Sequence, residues 1–209
     1  MKPGCYIDSG PCDWQIIQQE NGIAKVGLAG RYLPSGERPD RQIVFVRVVR
    51  EESSDTVLPW LPATIHEGQR WEISLELPVG GLYRIETSLK PDGLGIEYAF
   101  RGDMVHHIGV GELFVITGQS NSAGYGKDPI FDPPELGVHV LRNNGKWDLA
   151  THPLNDSTGS IHPLNAEMIN PGHSPYLSFA KYLKRELNNP IGLIQASLGG
   201  SSLGQWNPA

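Results

Sequence analysis

Between about residues 26 and 100, polar and apolar positions alternate in short runs separated by turn residues. Residues 71–77 (WEISLEL) and 82–89 (LYRIETSL) alternate at period two, as a strand with one buried face must. Residues 42–49 (QIVFVRVV) form a third, more uniformly apolar run. Pro34-Ser35-Gly36, Pro78-Val79-Gly80-Gly81 and Pro91-Asp92-Gly93 supply turns between such runs. Strands at this spacing, with no helical period among them, predict a small antiparallel β-sandwich domain, Ig-like or jelly-roll-like, over residues 1–108.

The pattern changes near Gly109. Residues 112–117 (ELFVIT) are continuously apolar after the first position, which marks a strand covered on both faces, as in a parallel sheet. Ser174 and Pro175 read as an N-cap and a first helical residue, and Tyr176, Phe179, Ala180, Leu183 and Leu187 then recur at helical spacing up to Asn188-Asn189-Pro190. Residues 191–196 (IGLIQA) are a second apolar strand. Strand, excursion, helix and strand make a crossover unit, so residues 109–209 are predicted to begin an α/β domain whose two strands run parallel and open on one sheet edge. Ligands bind at that edge in open α/β sheets. Two turns rich in small residues are expected there, 118–122 (GQSNS) and 197–202 (SLGGSS).

Charge and composition narrow the function. Seventeen Lys and Arg against 23 Asp and Glu give a formal charge of -6, a field that repels phosphate backbones and anionic lipid, so neither nucleic acid nor a membrane is expected as a partner. No window approaches the run of about 18 apolar residues that a spanning helix needs, and Met1-Lys2-Pro3-Gly4 lacks the apolar core of a signal peptide. Cys5 and Cys12 stand close enough to bridge within a short loop or to remain two separate thiols. No Cys/His spacing suggests a metal site.

A serine at the end of a buried strand can project its hydroxyl from a tight turn while its own N–H and that of a nearby glycine point at a developing oxyanion. One such donor is worth about 3–4 kcal/mol of transition-state stabilisation. Ser120 is placed for the first role, and Gly199 and Gly200 for the second. A Gly-x-Ser turn taken alone is weak evidence for this and reads sooner as a serine capping the next segment. The nucleophile elbow of α/β-hydrolases would need glycine where this chain has Ser122.

The run 109–124 (GVGELFVITGQSNSAG) resembles the strand and "GQSNMAG" block of SGNH hydrolases related to sialate O-acetylesterases and acetylxylan esterases. Asn144-Gly145-Lys146-Trp147 is similar to a "G-K-W" strand and turn that follows this block, and 190–206 (PIGLIQASLGGSSLGQW) to the family's "P-[IV]-GLIQ-A-x-x-GG-[ST]-x-[IL]-x-x-W". The resemblance implies a flavodoxin-like SGNH sheet, of which residues 109–209 are the first part, and a β-domain before it. It implies a serine carbohydrate esterase removing acetyl groups from sugars, sialic acid or xylan-type oligosaccharides, through an acyl-enzyme. Carried over, Ser120 is the nucleophile, Ser120 with Gly200 or Gly199 forms the oxyanion hole, and Gln119, Asn121, Ser201 and His162 are candidate substrate contacts. No cofactor is implied, and a secreted or periplasmic setting is. Ser122 departs from the family's usual Met and alters the pocket wall. The family's third oxyanion donor and its Asp-x-x-His motif have no counterpart in these residues, so the sheet and triad are expected to be completed by a further segment or a second chain.

Among the histidines present, His106 and His107 are expected solvated at the domain junction and His139 packed in an apolar run, whereas His152, His162 and His173 fall in a long polar stretch, 142–174, beside the predicted site edge. Asp156 in the same stretch is a candidate substrate contact. Trp60, Trp71 and Trp147 read as core or as sugar-stacking platforms, Trp206 as the closing residue of the glycine turn, and Asn121 as its local hydrogen-bonding brace. A carbohydrate-binding or scaffold fragment, in which the sandwich does the binding and the second half is inert, is the competing reading.

Overall fold

A computed structural model describes residues 2–35, 41–162 and 171–207. Gly36 of the first predicted turn and residues 163–170 of the long polar stretch lie outside the described residues. The chain divides into two compact units, residues 1–13 with 19–110, and residues 14–18 with 111–209.

The first unit holds two antiparallel sheets. In one, β1 (Gly4–Ser9), β3 (Ile23–Leu33), β7 (Arg70–Pro78) and β6 (Thr64–His66) lie in that order. In the other, β5 (Thr56–Pro62), β4 (Ile43–Arg50) and β8 (Gly80–Lys90) are followed by the first part of β9 (Phe100–Gly118). Alternation decides which face is buried: Ala24, Val26 and Leu28 of β3 and Leu75 and Leu77 of β7 turn inward while their neighbours face solvent. On β4 and β8, Val44, Val46, Val48, Ile85 and Leu89 are fully buried. Each such side chain contributes about 1.5–3 kcal/mol by leaving water. Trp71 belongs to this core at 1% exposure and donates its indole N–H to the Arg31 carbonyl at 3.1 Å.

In the second unit the end of β9 pairs in parallel with β12 (Ile191–Ser197), and β12 pairs in parallel with β10 (Val138–Leu141). The strands β11 (Trp147–Leu149) and β10 are antiparallel, so this sheet is mixed, not purely parallel. The short strand β2 (Ile16–Gln18) pairs with β9, where the Gln18 side chain donates to Glu112 and accepts from the Leu113 N–H, both at 2.8 Å. Helix α2 (Tyr176–Leu187) lays Leu177 and Ala180 against Val138, Val140, Ile191 and Leu193. It ends where Asn188 adopts a left-handed φ of 54° ahead of Pro190. Pro175, not Ser174, occupies the N-cap, and the buried Ser174 hydroxyl caps nothing.

No disulfide joins Cys5, which is buried, to Cys12, which is exposed. Burial, followed by the nearby Asp103 charge and against a hydrogen bond with Thr87, pushes the Cys5 thiol up to about 12. His106 and His107 are not simply solvated: Nδ1 of His107 lies 2.6 Å and Nδ1 of His106 3.4 Å from the Glu51 carboxylate. His139 is fully buried in β10, its Nδ1 2.6 Å from the Trp14 carbonyl and its ring edge-on to that indole. No helix among the described residues is long and apolar enough to cross a membrane.

Candidate active site

Parallel pairing of β9 with β12 runs in register from Glu112 opposite Ile191 to Gly118 opposite Ser197. The two strands therefore end level, and their following turns leave the same sheet edge side by side. Leu198 ties them together by donating its N–H to the Gly118 carbonyl at 3.0 Å. Gly118 has φ 133°, a conformation that side chains rarely tolerate, and a Cβ there would meet the Ser122 hydroxyl at 2.6 Å. From this turn the chain enters α1 (Ser120–Ala123), so Ser120 is its first residue. Ser120 is half-buried, and no described residue hydrogen-bonds its hydroxyl.

On the neighbouring strand, Gly199 is half-buried and Gly200 exposed. Ser201 closes the turn, donating its hydroxyl to the Leu198 carbonyl at 2.7 Å and accepting the Trp206 indole N–H at 2.8 Å. Trp206 thus holds the turn's far end from within the 3-10 turn Leu203–Trp206. Gln119 and Asn121 are exposed beside Ser120, and the Asn121 side chain makes no hydrogen bond with a described residue, so it does not brace the turn.

A buried polar ladder that sequence reasoning missed supports the end of β12. The Ser197 hydroxyl donates to the Ile116 carbonyl at 3.2 Å, the Asn155 amide donates to the Ser197 carbonyl at 3.3 Å, and Asn143 donates to the Asn155 side chain at 2.8 Å. The only sequence signal for it is a pair of asparagines within otherwise turn-like runs. Asp156 accepts the Thr158 N–H, and that bond, with the Thr158 hydroxyl, holds its carboxyl below the ordinary value.

None of the described histidines hydrogen-bonds Ser120. His162 is exposed, its N–H 3.3 Å from the Ser160 hydroxyl. His152 instead joins a cluster on α2: its Nε2 lies 3.0 Å from Asp132, which also accepts Lys181 and the Ser178 hydroxyl. Burial of Asp132 opposes ionisation, but Lys181 and His152 prevail and hold its carboxyl below the ordinary range. His173 stacks edge-on against His152 at 5.0 Å, and the Nδ1 atoms of both rings are buried without a hydrogen-bond partner. Among the described residues no group of three His, Cys, Asp or Glu is arranged to hold a metal ion.

With this geometry in view, residues 110–209 match the family "Carbohydrate esterase, sialic acid-specific acetylesterase". Over that segment the chain is similar to sialic acid-specific acetylesterases. Among solved structures, 95% of this chain aligns with a carbohydrate acetylesterase from Xanthomonas citri at 16% identity and a TM-score of 0.45. The chain spans 41% of that protein's length. A protein from Arabidopsis thaliana aligns at 25% identity over 46% of this chain and 44% of its own, with a TM-score of 0.38. No curated protein matches the sequence.

Proposed function

We propose that this chain carries the nucleophile half of a serine carbohydrate esterase that removes acetyl groups from sugars. The observation that supports it most is the level ending of β9 and β12, joined at Leu198 and Gly118, which sets a half-buried serine beside a glycine turn. In this reading the Ser120 hydroxyl attacks the ester carbonyl, and the N–H groups of Ser120 and Gly200, with Gly199 as neighbour, stabilise the oxyanion. The sugar hydroxyl leaves with a proton, and water then releases acetate from the acyl-enzyme. The general base is a histidine, which the described residues do not bring to Ser120; the family resemblance assigns it to an Asp-x-x-His segment. Gln119, Asn121 and Ser201 line the approach to the serine in this scheme, and His162 reaches substrate from the polar stretch. The substrate, and acetyl donor, is an acetylated saccharide of the sialic acid or xylan type.

The test is hydrolysis of p-nitrophenyl acetate by the whole protein and by Ser120→Ala. Loss of about 10³-fold or more in kcat/KM is expected for a triad nucleophile. Unchanged hydrolysis by the variant ends the proposal.

A further inference from the structure

The outer face of the β5-β4-β8-β9 sheet is not an ordinary solvated face. A cavity of about 610 Å³ opens on it, within the range of pockets that take small ligands. Its floor is a cross-strand row: Arg47 of β4 lies opposite Glu86 of β8, which lies opposite Met104 of β9. Glu86 is nearly buried and accepts the Nε–H of Arg47 and of Arg84, each at 2.6 Å. Burial opposes its ionisation, but the two guanidinium groups prevail and hold its carboxyl below the ordinary value.

Both arginines spend only Nε on Glu86, and their terminal Nη groups have no hydrogen-bond partner among the described residues. The Cζ atom of Arg47 lies over the Trp60 ring, 4.6 Å from its centroid. Arg101, opposite Ser88 on the same floor, is exposed and likewise without a partner. Against these three cations the cavity lining holds two carboxylates, Glu86, already shared, and the exposed Glu97 beside it; His106 completes the rim. A cationic pocket in a chain of net charge -6 is a local reversal of the molecule's field.

We infer that this pocket is a binding site for a carboxylate-bearing saccharide, the Arg84 and Arg101 guanidinium groups taking the carboxylate and the Arg47–Trp60 stack flanking the sugar ring. Glu86 holds the Arg84 guanidinium in place, and a planar carboxylate matches such a fork in a way it does not match a diffuse basic surface. A sugar ring suits the mixed lining of an indole, Trp60, and hydrogen-bonding guanidinium groups. The site is made entirely of residues of the first unit and needs nothing of Ser120 chemistry.

Calorimetric titration of the whole chain with trigalacturonate, galactotriose and sodium sulfate tests it. At low salt the acidic trisaccharide is expected to bind about tenfold or more tightly than the neutral one and to weaken as salt rises. Arg101→Ala, an exposed change that breaks no contact among the described residues, is expected to weaken it about fivefold or more, and Arg84→Gln similarly. Ser120→Ala is expected to bind as the parent does, which separates this site from the esterase reading. No binding, equal affinity for the neutral sugar, sulfate binding as tightly as trigalacturonate, or unchanged affinity in the folded Arg101→Ala protein would each overturn the inference.

Discussion

The backbone N–H of Leu198 donates to the carbonyl of Gly118 at 3.0 Å, one residue past the last pair of two parallel strands. That bond fixes the height of one turn against the other. Any change that tilts either turn should therefore act on chemistry more than on overall stability.

Gly118→Ala is the direct case. At φ 133° a side chain is strained, and its Cβ would crowd Ser122. A loss of about 1–3 kcal/mol in denaturant unfolding is expected. On the proposed reading, in which Ser120 is the nucleophile, esterase activity should fall further than the folded fraction does. Equal activity per folded molecule would contradict this.

Asn155 stands in a buried chain of amides between Asn143 and Ser197. Asn155→Leu leaves both neighbours short of a partner, and each orphaned buried group costs about 1–3 kcal/mol. Thermal melting of the variant should show a drop of several degrees. An unchanged Tm would mean that the ladder contributes nothing.

Lys181 and Asp132 are both close to fully buried, with side-chain exposures of 12% and 9%. Lys181→Met should cost about 1.5–3 kcal/mol, since the largely buried Asp132 carboxylate loses a charged donor and keeps His152 and the Ser178 hydroxyl. The double variant with Asp132→Asn should lose less than the sum of the single losses. Strict additivity would show that the pair is not coupled.

Acid should unfold the protein through the same groups. Glu86, Asp132, Glu135 and Asp156 all sit below their ordinary values when folded. The unfolded chain therefore binds more protons in that window, so their contribution is complete above about pH 4–5 and is lost as pH falls through the lowered values. Urea titrations at falling pH should show this slope, and Asp132→Asn should flatten it.

Cys5 is buried with its thiol pushed up to about 12, whereas Cys12 is exposed. A thiol reagent at neutral pH should label one cysteine rapidly and the second only in denaturant. Two fast thiols in the native protein would contradict the buried placement of β1.

Much of the fold was legible because burial follows period. Trp71, Leu75 and Leu77 alternate with charged neighbours on β7, and the apolar runs at β9 and β12 pair in parallel as expected, but the β9 run is not covered on both faces: Val115 is 61% exposed and only Ile116 is buried. The glycines around 109–111 look like a boundary, yet β9 runs unbroken from Phe100 to Gly118. The glycine at 111 serves close approach, since a Cβ there would sit 1.9 Å from the Pro190 carbonyl oxygen. Strand β11 was indicated only by the resemblance at Gly145-Lys146-Trp147, because three residues are too few to show a period, and its antiparallel sense has no sequence signature. The two turns of the candidate site were legible as small-residue clusters. The Asn143–Asn155–Ser197 ladder and the Asp132–His152 pair were not, because they depend on which loops meet, and residue spacing carries no such information. The arginine-lined cavity was hidden for the same reason: Arg47, Arg84 and Arg101 come from three strands whose outward positions read as ordinary surface.

Residues 14–18 cluster with the second unit although the chain on either side of them clusters with the first. Ile16 is wholly inaccessible there, close to where a Cβ on Gly192 would fall. The two units are consequently laced by more than one crossing of the backbone. A single scission near residue 110 would leave an amputated N-terminal piece carrying an orphaned apolar stitch, so separating the halves cleanly requires redesigning that stitch as well as cutting the thread.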